Sequence, residues 1–295
     1  MSADQFLQYL ISGLTQGSIY ALVGLGFTII YAVTRIINFA QGEFVMLGGM
    51  ISFILASSAG IPLAPALILS VLIAAAIGAI MYLLAIRTAR RASAVSLIII
   101  TIGAAVFIRG IAGELWGKDY VRPPYFTGDE PISFLGAYIQ PQALWIIGTM
   151  LAVTILVHLF FSYTMVGKAL KACAINPGAA GLVGINTRTM ALIAFVLAAS
   201  IGAIGGAVMA PLTVTSYGVG VMLGLKGFVA ASIGGFKSPI AAVIGGIGLG
   251  IIEALAVAIN WGPFTSDYKD AIALIALLLI LLFRSGRLAE EERAG

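Results

Sequence analysis

A run of about 20 apolar residues is the length that carries an α-helix across a bilayer core, and this chain is built almost entirely of such runs. They fall at roughly 9–34, 44–57, 62–86, 94–113, 142–163, 189–211, 219–236, 239–260 and 269–283. A water-facing surface cannot be made from what remains. Only 9% of the residues are charged and 61% are hydrophobic, with a mean hydropathy of +1.09, whereas a soluble domain carries about 25% charged residues. The expected fold is all-α: a polytopic integral membrane bundle of eight or nine transmembrane helices, a single domain over residues 1–295. Nine crossings agree with an N-terminus outside and a C-terminus inside. The runs 44–57 and 219–236 are short and rich in glycine, so either can be re-entrant; eight crossings would move the N-terminus inside.

The placement of charge says more than the net charge of +4. Arg87, Arg90 and Arg91 cluster in one connection, Lys168, Lys171 and Arg188 in another, and Arg284, Arg287 and Arg293 follow the last run. The segment at about 114–141 instead carries Glu114, Asp119, Asp129 and Glu130 against Lys118 and Arg122. Basic loops stay in the cytoplasm, so the connection at about 164–188 is expected inside and the acidic loop outside. The basic residues report topology; a nucleic-acid partner would want a folded basic surface, which is missing. The opening "MSADQFLQYL" has no Lys or Arg, which does not support a signal peptide with a basic leader region.

Catalytic chemistry finds little to use. His158 is the single histidine and Cys173 the single cysteine, so neither a metal cluster nor a Ser–His pair with a nearby acid can be drawn. No phosphate-binding G-x-x-x-x-G-K-[ST] loop occurs, because Asp119 follows Lys118 and Ala169 follows Lys168. No cofactor is expected on this chain; ATP and Mg, where they act, belong to partner subunits. Four-residue glycine spacing recurs inside the runs at Gly13/Gly17, Gly202/Gly206, Gly220/Gly224 and Gly246/Gly250. Small residues at that spacing bring helix backbones together in lipid.

Three places depart from plain hydrocarbon. The stretch "RIINFAQGEF" at 35–44 inserts Asn38, Gln41 and Glu43 between two apolar runs. Such groups cannot face lipid without a cost of several kcal/mol each, so they face the bundle, a water-filled path or the cytoplasm. On a helix Asn38 and Gln41 would share a face, and they are expected to line or gate a passage near its cytoplasmic mouth. Glu253, inside "LGIIEALAV", is a carboxylate at membrane depth, part of a pathway, paired with Arg109 or Lys226, or placed at an interface with a second membrane subunit. The third place is "GKALKACAINPGAAGLVGINTRTM" at 167–190. Asn176 before Pro177 reads as an N-cap with proline at the first helical position, and Gly184 suits a left-handed C-terminal cap. Between them Gly178, Ala179, Ala180, Gly181, Leu182 and Val183 give about two turns, too short to stand alone in water. This helix either packs beneath its own bundle or docks on an energising partner.

Three stretches then resemble one family in order. "GLTQGSIYALVGLGFTIIYAVTRIINFAQGEFVMLGG" looks like the opening of the branched-chain amino-acid ABC transporter permeases of the LivH type, "KALKACAINPGAAGLVGIN" like their cytoplasmic coupling segment, and "GLKGFVAASIGGFKSPIAAVIGGIGLGIIEAL" like their glycine-rich C-terminal stretch. The resemblance implies a type II-like importer permease in the bacterial inner membrane. It also implies a homologous second permease, two ATP-binding subunits and a periplasmic solute-binding protein. Relatives commonly read Asn-Phe-Ala-His-Gly where this chain has Gln41, so a role needing a titrating imidazole there is in doubt. A permease of the same kind for urea, short amides or aromatic acids is the nearest rival, followed by an ion-coupled secondary transporter using Glu253 and by a membrane scaffold without a pathway.

Overall fold

The computed structural model describes residues 3–89, 92–134, 136–236 and 238–259, together with residues 270, 271, 274, 275 and 278, which are helical. Arg90, Arg91, Arg284, Arg287 and Arg293, and most of the run at 269–283, lie outside the described residues. The helices are α1 (Ala3–Thr34), α2 (Gln41–Phe53), α3 (Leu63–Met81), α4 (Ala94–Trp116), α5 (Pro141–Tyr163), α6 (Met165–Ile175), α7 (Pro177–Leu182), α8 (Thr187–Thr213), α9 (Val219–Ile233) and α10 (Pro239–Ile259). One π-helical turn continues α2 over Ile54–Ser58 and another continues α3 over Tyr82–Ile86. Among the described residues six helices are long and apolar enough to cross a membrane.

Contacts between the ends of the helices sort the connections to two sides. Tyr82 Oη donates to the carbonyl of Arg188 at 3.0 Å, and Arg35 Nη2 to the carbonyl of Ala174 at 2.7 Å. The ends of α1 and α3, the α6–α7 connection and the start of α8 therefore share one side, the basic end. On the other side an antiparallel hairpin, β1 (Ile132–Phe134) with β2 (Ala137–Ile139), sits in the acidic loop. The first turns of α1 dock on it: Gln8 Nε2 donates to the carbonyl of Tyr138 at 3.0 Å, and Tyr138 N donates to Gln8 Oε1 at 2.8 Å. An amide side chain here imitates a neighbouring strand. This polar docking is why α1 begins at Ala3, several residues before its apolar run.

The bundle is assembled on small residues. A Cβ on Gly13 would lie 2.8 Å from Ile251 Cα, and one on Gly17 2.8 Å from Ile247 Cα; on the facing side Gly246 and Gly250 abut Ala21 and Gly17. So α1 and α10 cross with backbones in contact, as small residues permit where apolar burial gives no drive to association. The second seam holds α2. Gly206 and Gly202 of α8 receive Val45 and Phe44, and Gly42 meets Gly220 and Gly224 of α9. Every residue from Gln41 to Ser52 is buried. By contrast α3, α4 and α5 turn large side chains such as Leu84, Phe107 and Leu156 outward, which is the surface a lipid-facing helix needs.

Helix α9, of 15 residues, reaches only about 22 Å at 1.5 Å per residue, and α2, of 13 residues, only about 20 Å before its π-helical turn, against a bilayer core of about 30 Å. Each follows a long helix that ends in a non-glycine residue with left-handed backbone: Arg35 (φ 59°) after α1 and Val214 (φ 58°) after α8. The two long helices run in opposite directions, so two inverted units, each a long helix, a break and a short helix, meet at Gly42 and Gly220. Paired broken helices of this kind mark the centre of many transporters.

Candidate functional site

The first break begins where the Arg35 amide donates to the carbonyl of Tyr31 at 2.8 Å and closes the last turn of α1. Residues 35–40 are then non-helical. They climb back into the bundle, because the Gln41 side chain lies against Gly26, eight residues or roughly 12 Å before the end of α1. Irregular backbone at that depth must be satisfied by protein. Asn38 Oδ1 accepts from Ala40 N at 3.1 Å, and Thr101 Oγ1 of α4 accepts from Phe39 N at 3.2 Å. Gln41 Nε2 donates to the carbonyl of Ala198 at 2.9 Å. The expectation that Asn38 and Gln41 share a helical face is corrected: Asn38 precedes the helix and Gln41 opens it. Nor do they sit at a mouth. Both are fully enclosed, with Glu43 almost so.

Among the described residues, Asn38 Nδ2, Gln41 Oε1 and Glu43 Oε2 have no hydrogen-bond partner. Buried polar atoms are paired in the great majority of cases. Three in six residues at the heart of a membrane bundle amount to a polar seam enclosed around the start of α2, between α4, α8 and α9.

The two acids take different partners. Glu43 Oε1 lies 3.6 Å from Arg109 Nη1 of α4, an ion pair without hydrogen-bond contact. Glu253 of α10 pairs with Lys226 of α9, its two oxygens 3.1 and 3.2 Å from the ammonium. Tyr20 of α1 completes the group, donating to Glu253 Oε2 at 2.8 Å while accepting from Lys226 at 3.0 Å, and Asp270 Oδ1 stands 2.7 Å from the same ammonium. Of the two cations open to Glu253 in sequence, the structure selects Lys226. A cavity of about 710 Å³ lies above this group toward the hairpin end, lined by Arg109, Lys118, Lys226 and Asp270 and by the second break at Val214–Gly218.

Toward the basic end the first break meets α9 and the turn after it in aromatic contact. Phe228 of α9 stands 5.6 Å from Phe39, 5.9 Å from Phe27 and 5.4 Å from Phe236 by ring centroids, and Tyr31 closes the row at 5.0 Å from Phe236. An aromatic plug therefore fills the bundle toward the basic end, while the cavity lies toward the hairpin.

Outside the plug lies the α6–α7 connection. Thr164 caps α6, accepting from Gly167 N at 2.9 Å. Asn176 Oδ1 accepts from Ala179 N at 3.0 Å, and Pro177 is the first residue of α7. At the other end Ile185 N bonds to Ala180 O at 3.0 Å and Gly184 N to Gly181 O at 3.1 Å, with Gly184 at φ 88°. This is the double-bonded left-handed cap that leaves glycine as the natural choice. The six-residue helix is fixed at both ends and turns Leu182 outward, 91% exposed, with Ile175 at the end of α6 and Val183 just after α7 exposed beside it at 83 and 76%. Helix α6 is not apparent from the apolar runs. Its signal is the mixed pattern of "MVGKALKACAI", which buries Gly167, Leu170 and Cys173 and exposes Lys168.

A membrane bundle with two inverted broken helices, a polar seam at its centre and a capped knob at one end defines a transport permease by architecture. The family described as "Branched-chain amino acid transport system / permease component" matches residues 9–281, and the chain belongs to that family. It is similar to the high-affinity branched-chain amino acid transport system permease protein LivH of Escherichia coli (strain K12), 34% identical over 94% of this chain and 93% of that one. The permease protein BraD of the corresponding system in Pseudomonas aeruginosa is 32% identical over 95% and 94%. Among solved structures, PsaBC from Streptococcus pneumoniae in complex with Fab aligns over 94% of this chain and 89% of that one, with a TM-score of 0.47 and 15% identity.

Proposed function

We propose that the chain is the membrane-spanning permease subunit of an ATP-driven importer of branched-chain or related apolar amino acids, placed in the inner membrane with its basic end in the cytoplasm. It forms one transmembrane domain and pairs with a homologous second permease. Two ATP-binding subunits grip the cytoplasmic end and supply all nucleotide chemistry, so this chain binds neither ATP nor Mg. A periplasmic solute-binding protein delivers cargo to the external loop at about 114–141, where the hairpin and the exposed Tyr120 and Tyr138 stand outward.

The observation that carries this reading, beyond family membership, is the α7 knob. Leu182 on a helix fixed by caps at both ends, with Ile175 and Val183 flanking it, makes an exposed apolar patch that is costly unless something covers it. The mechanical path from there is short. Arg35, the residue at which α1 breaks, is bonded to the last turn of α6. A push on α6–α7 is thus delivered to the segment that ends at Asn38 and Gln41. Displacing that segment parts the aromatic plug and opens the seam, whose unpaired atoms then take water or solute as partners. The cavity on the hairpin side and the plug on the other correspond to an outward-facing resting state.

Reconstituted vesicles with the partner subunits test the reading: uptake should require ATP inside and loaded binding protein outside. Uptake by this chain alone on an ion gradient would overturn it. Glu253 weighs against that rival, since its ion pair with Lys226 occupies the carboxylate a proton would need.

A further inference from the structure

The cavity on the hairpin side has a feature that packing does not require. Its wall holds one ammonium, Lys226, between two carboxylates, Asp270 and Glu253, with Tyr20 as a third oxygen partner. The side chains of Lys226 and Glu253 are 6% exposed, whereas that of Asp270 is 43% exposed and faces the cavity. One cation between two anions leaves a surplus negative charge, and Asp270 is where it can be reached. Arg109, 28% exposed, lines the same cavity, and among the described residues its one ion pair, with Glu43 at 3.6 Å, is looser than a hydrogen bond. The rest of the lining sets Lys118 and hydroxyls such as Thr213 and Ser216 beside an apolar stretch from Ile19, Val219, Met222 and Leu223.

An accessible acid, an accessible arginine and an apolar wall in one space of about 710 Å³ are the three elements that a small zwitterion with a hydrocarbon side chain requires. We propose that this cavity is a transient seat for a free α-amino acid, in which Asp270 takes the α-ammonium and Arg109 the α-carboxylate. Lys226 is then a resident stand-in for the ammonium: it holds Asp270 while the seat is empty and gives it up to the solute. Glu253 and Tyr20 keep Lys226 neutralised during the exchange, which explains why a carboxylate and a lysine are buried together in a membrane bundle. The seat is weak by construction, because the solute gains one ion pair only as another is broken. Weak holding is what a conduit needs for release. The seat selects for both charges at once: an apolar amine lacks the group for Arg109, and an apolar acid lacks the group for Asp270. The inference rests on the amino-acid import reading above and adds the place and the two contacting side chains.

The test uses the complete transporter in vesicles with its binding protein and ATPase subunits. A diazirine analogue of leucine is photoactivated during turnover and the labelled peptides are mapped. The seat predicts adducts on α9 around Met222 and Leu223 that are suppressed by L-leucine and not by isoamylamine or 4-methylpentanoate. Asp270→Asn and Arg109→Gln should each cut labelling and leucine uptake about tenfold or more, while loaded binding protein still stimulates ATP hydrolysis; Asp270→Glu and Arg109→Lys should recover part of the loss. ATP-driven uptake by the unmodified transporter with no label in the cavity, or label competed equally by the amine, would remove the seat and leave the permease reading standing. Absence of ATP-driven leucine uptake in the unmodified transporter would remove both.

Discussion

Leu182 is the residue on which the coupling account can be put at most risk. Its side chain is 91% exposed at the last position of α7, so it contributes almost nothing to the fold of this chain. The helix is held instead by Asn176, Pro177 and the Gly184 cap. Leu182→Ala therefore leaves α7 intact, and alanine is the better helix former; thermal stability should stay within about 0.5 kcal/mol. If α7 seats in a groove of the ATPase subunit, the substitution removes apolar volume that is buried only in the complex. Three carbons at about 0.8 kcal/mol each come to about 2 kcal/mol, and every 1.4 kcal/mol is tenfold in affinity, so the complex should weaken roughly thirtyfold. Permease in lipid nanodiscs, titrated with its ATPase subunit on an optical biosensor, reads this directly. Uptake at limiting ATPase should fall in parallel. An affinity within about twofold of the unmodified chain, with α7 intact, would refute the reasoning and return α7 to a purely internal role.

Three further tests use the same geometry. Gln41→Leu keeps the shape and removes both the bond to Ala198 and the orphaned Oε1; stability should be unchanged or higher while uptake falls about tenfold, measured by thermal unfolding and vesicle uptake. Gly17→Leu drives a side chain into the Ile247 and Gly246 backbone; overpacking of about 1–3 kcal/mol or more should appear as a lower unfolding midpoint or loss of assembled protein on gel filtration. Lys226→Met alone leaves Glu253 buried without its cation and should cost about 3–5 kcal/mol, and adding Glu253→Leu should recover most of it; a double variant no more stable than the single would show that the two do not act as a pair.

Much of the helical plan is legible in the apolar runs, since lipid forces each crossing to satisfy its own backbone and so fixes length and composition together. The runs 44–57 and 219–236 stand out by length and glycine, and α2 and α9 are the short helices found there, although the segment with α2 leads from the basic end, where α1 stops, to the hairpin end, where α3 starts, and so does not re-enter. The caps of α7 are equally legible, because Asn-Pro and a trailing glycine are local chemistry. What is hidden depends on tertiary placement. The break at Arg35 rests on a left-handed arginine, which no residue type announces, so Asn38 reads as helical when it is not. Glu253 has two possible cations in sequence, and only the crossing of α9 with α10 decides between them. The hairpin-side cavity draws its wall from α1, α4, α8, α9 and Asp270, and no single stretch carries its pattern.

The central claim, that a partner on the cytoplasmic side grips α7, is tested most directly by a single thiol. Cys173 is the one native cysteine; it is buried, and burial pushes its thiol up, which keeps it unreactive. Leu182→Cys then provides the accessible site for a maleimide photo-crosslinker in membranes holding the whole transporter. The account predicts a covalent adduct with the ATPase subunit and no reaction with a membrane-impermeant maleimide applied from outside. Labelling from outside, or an adduct with the solute-binding protein, would contradict it.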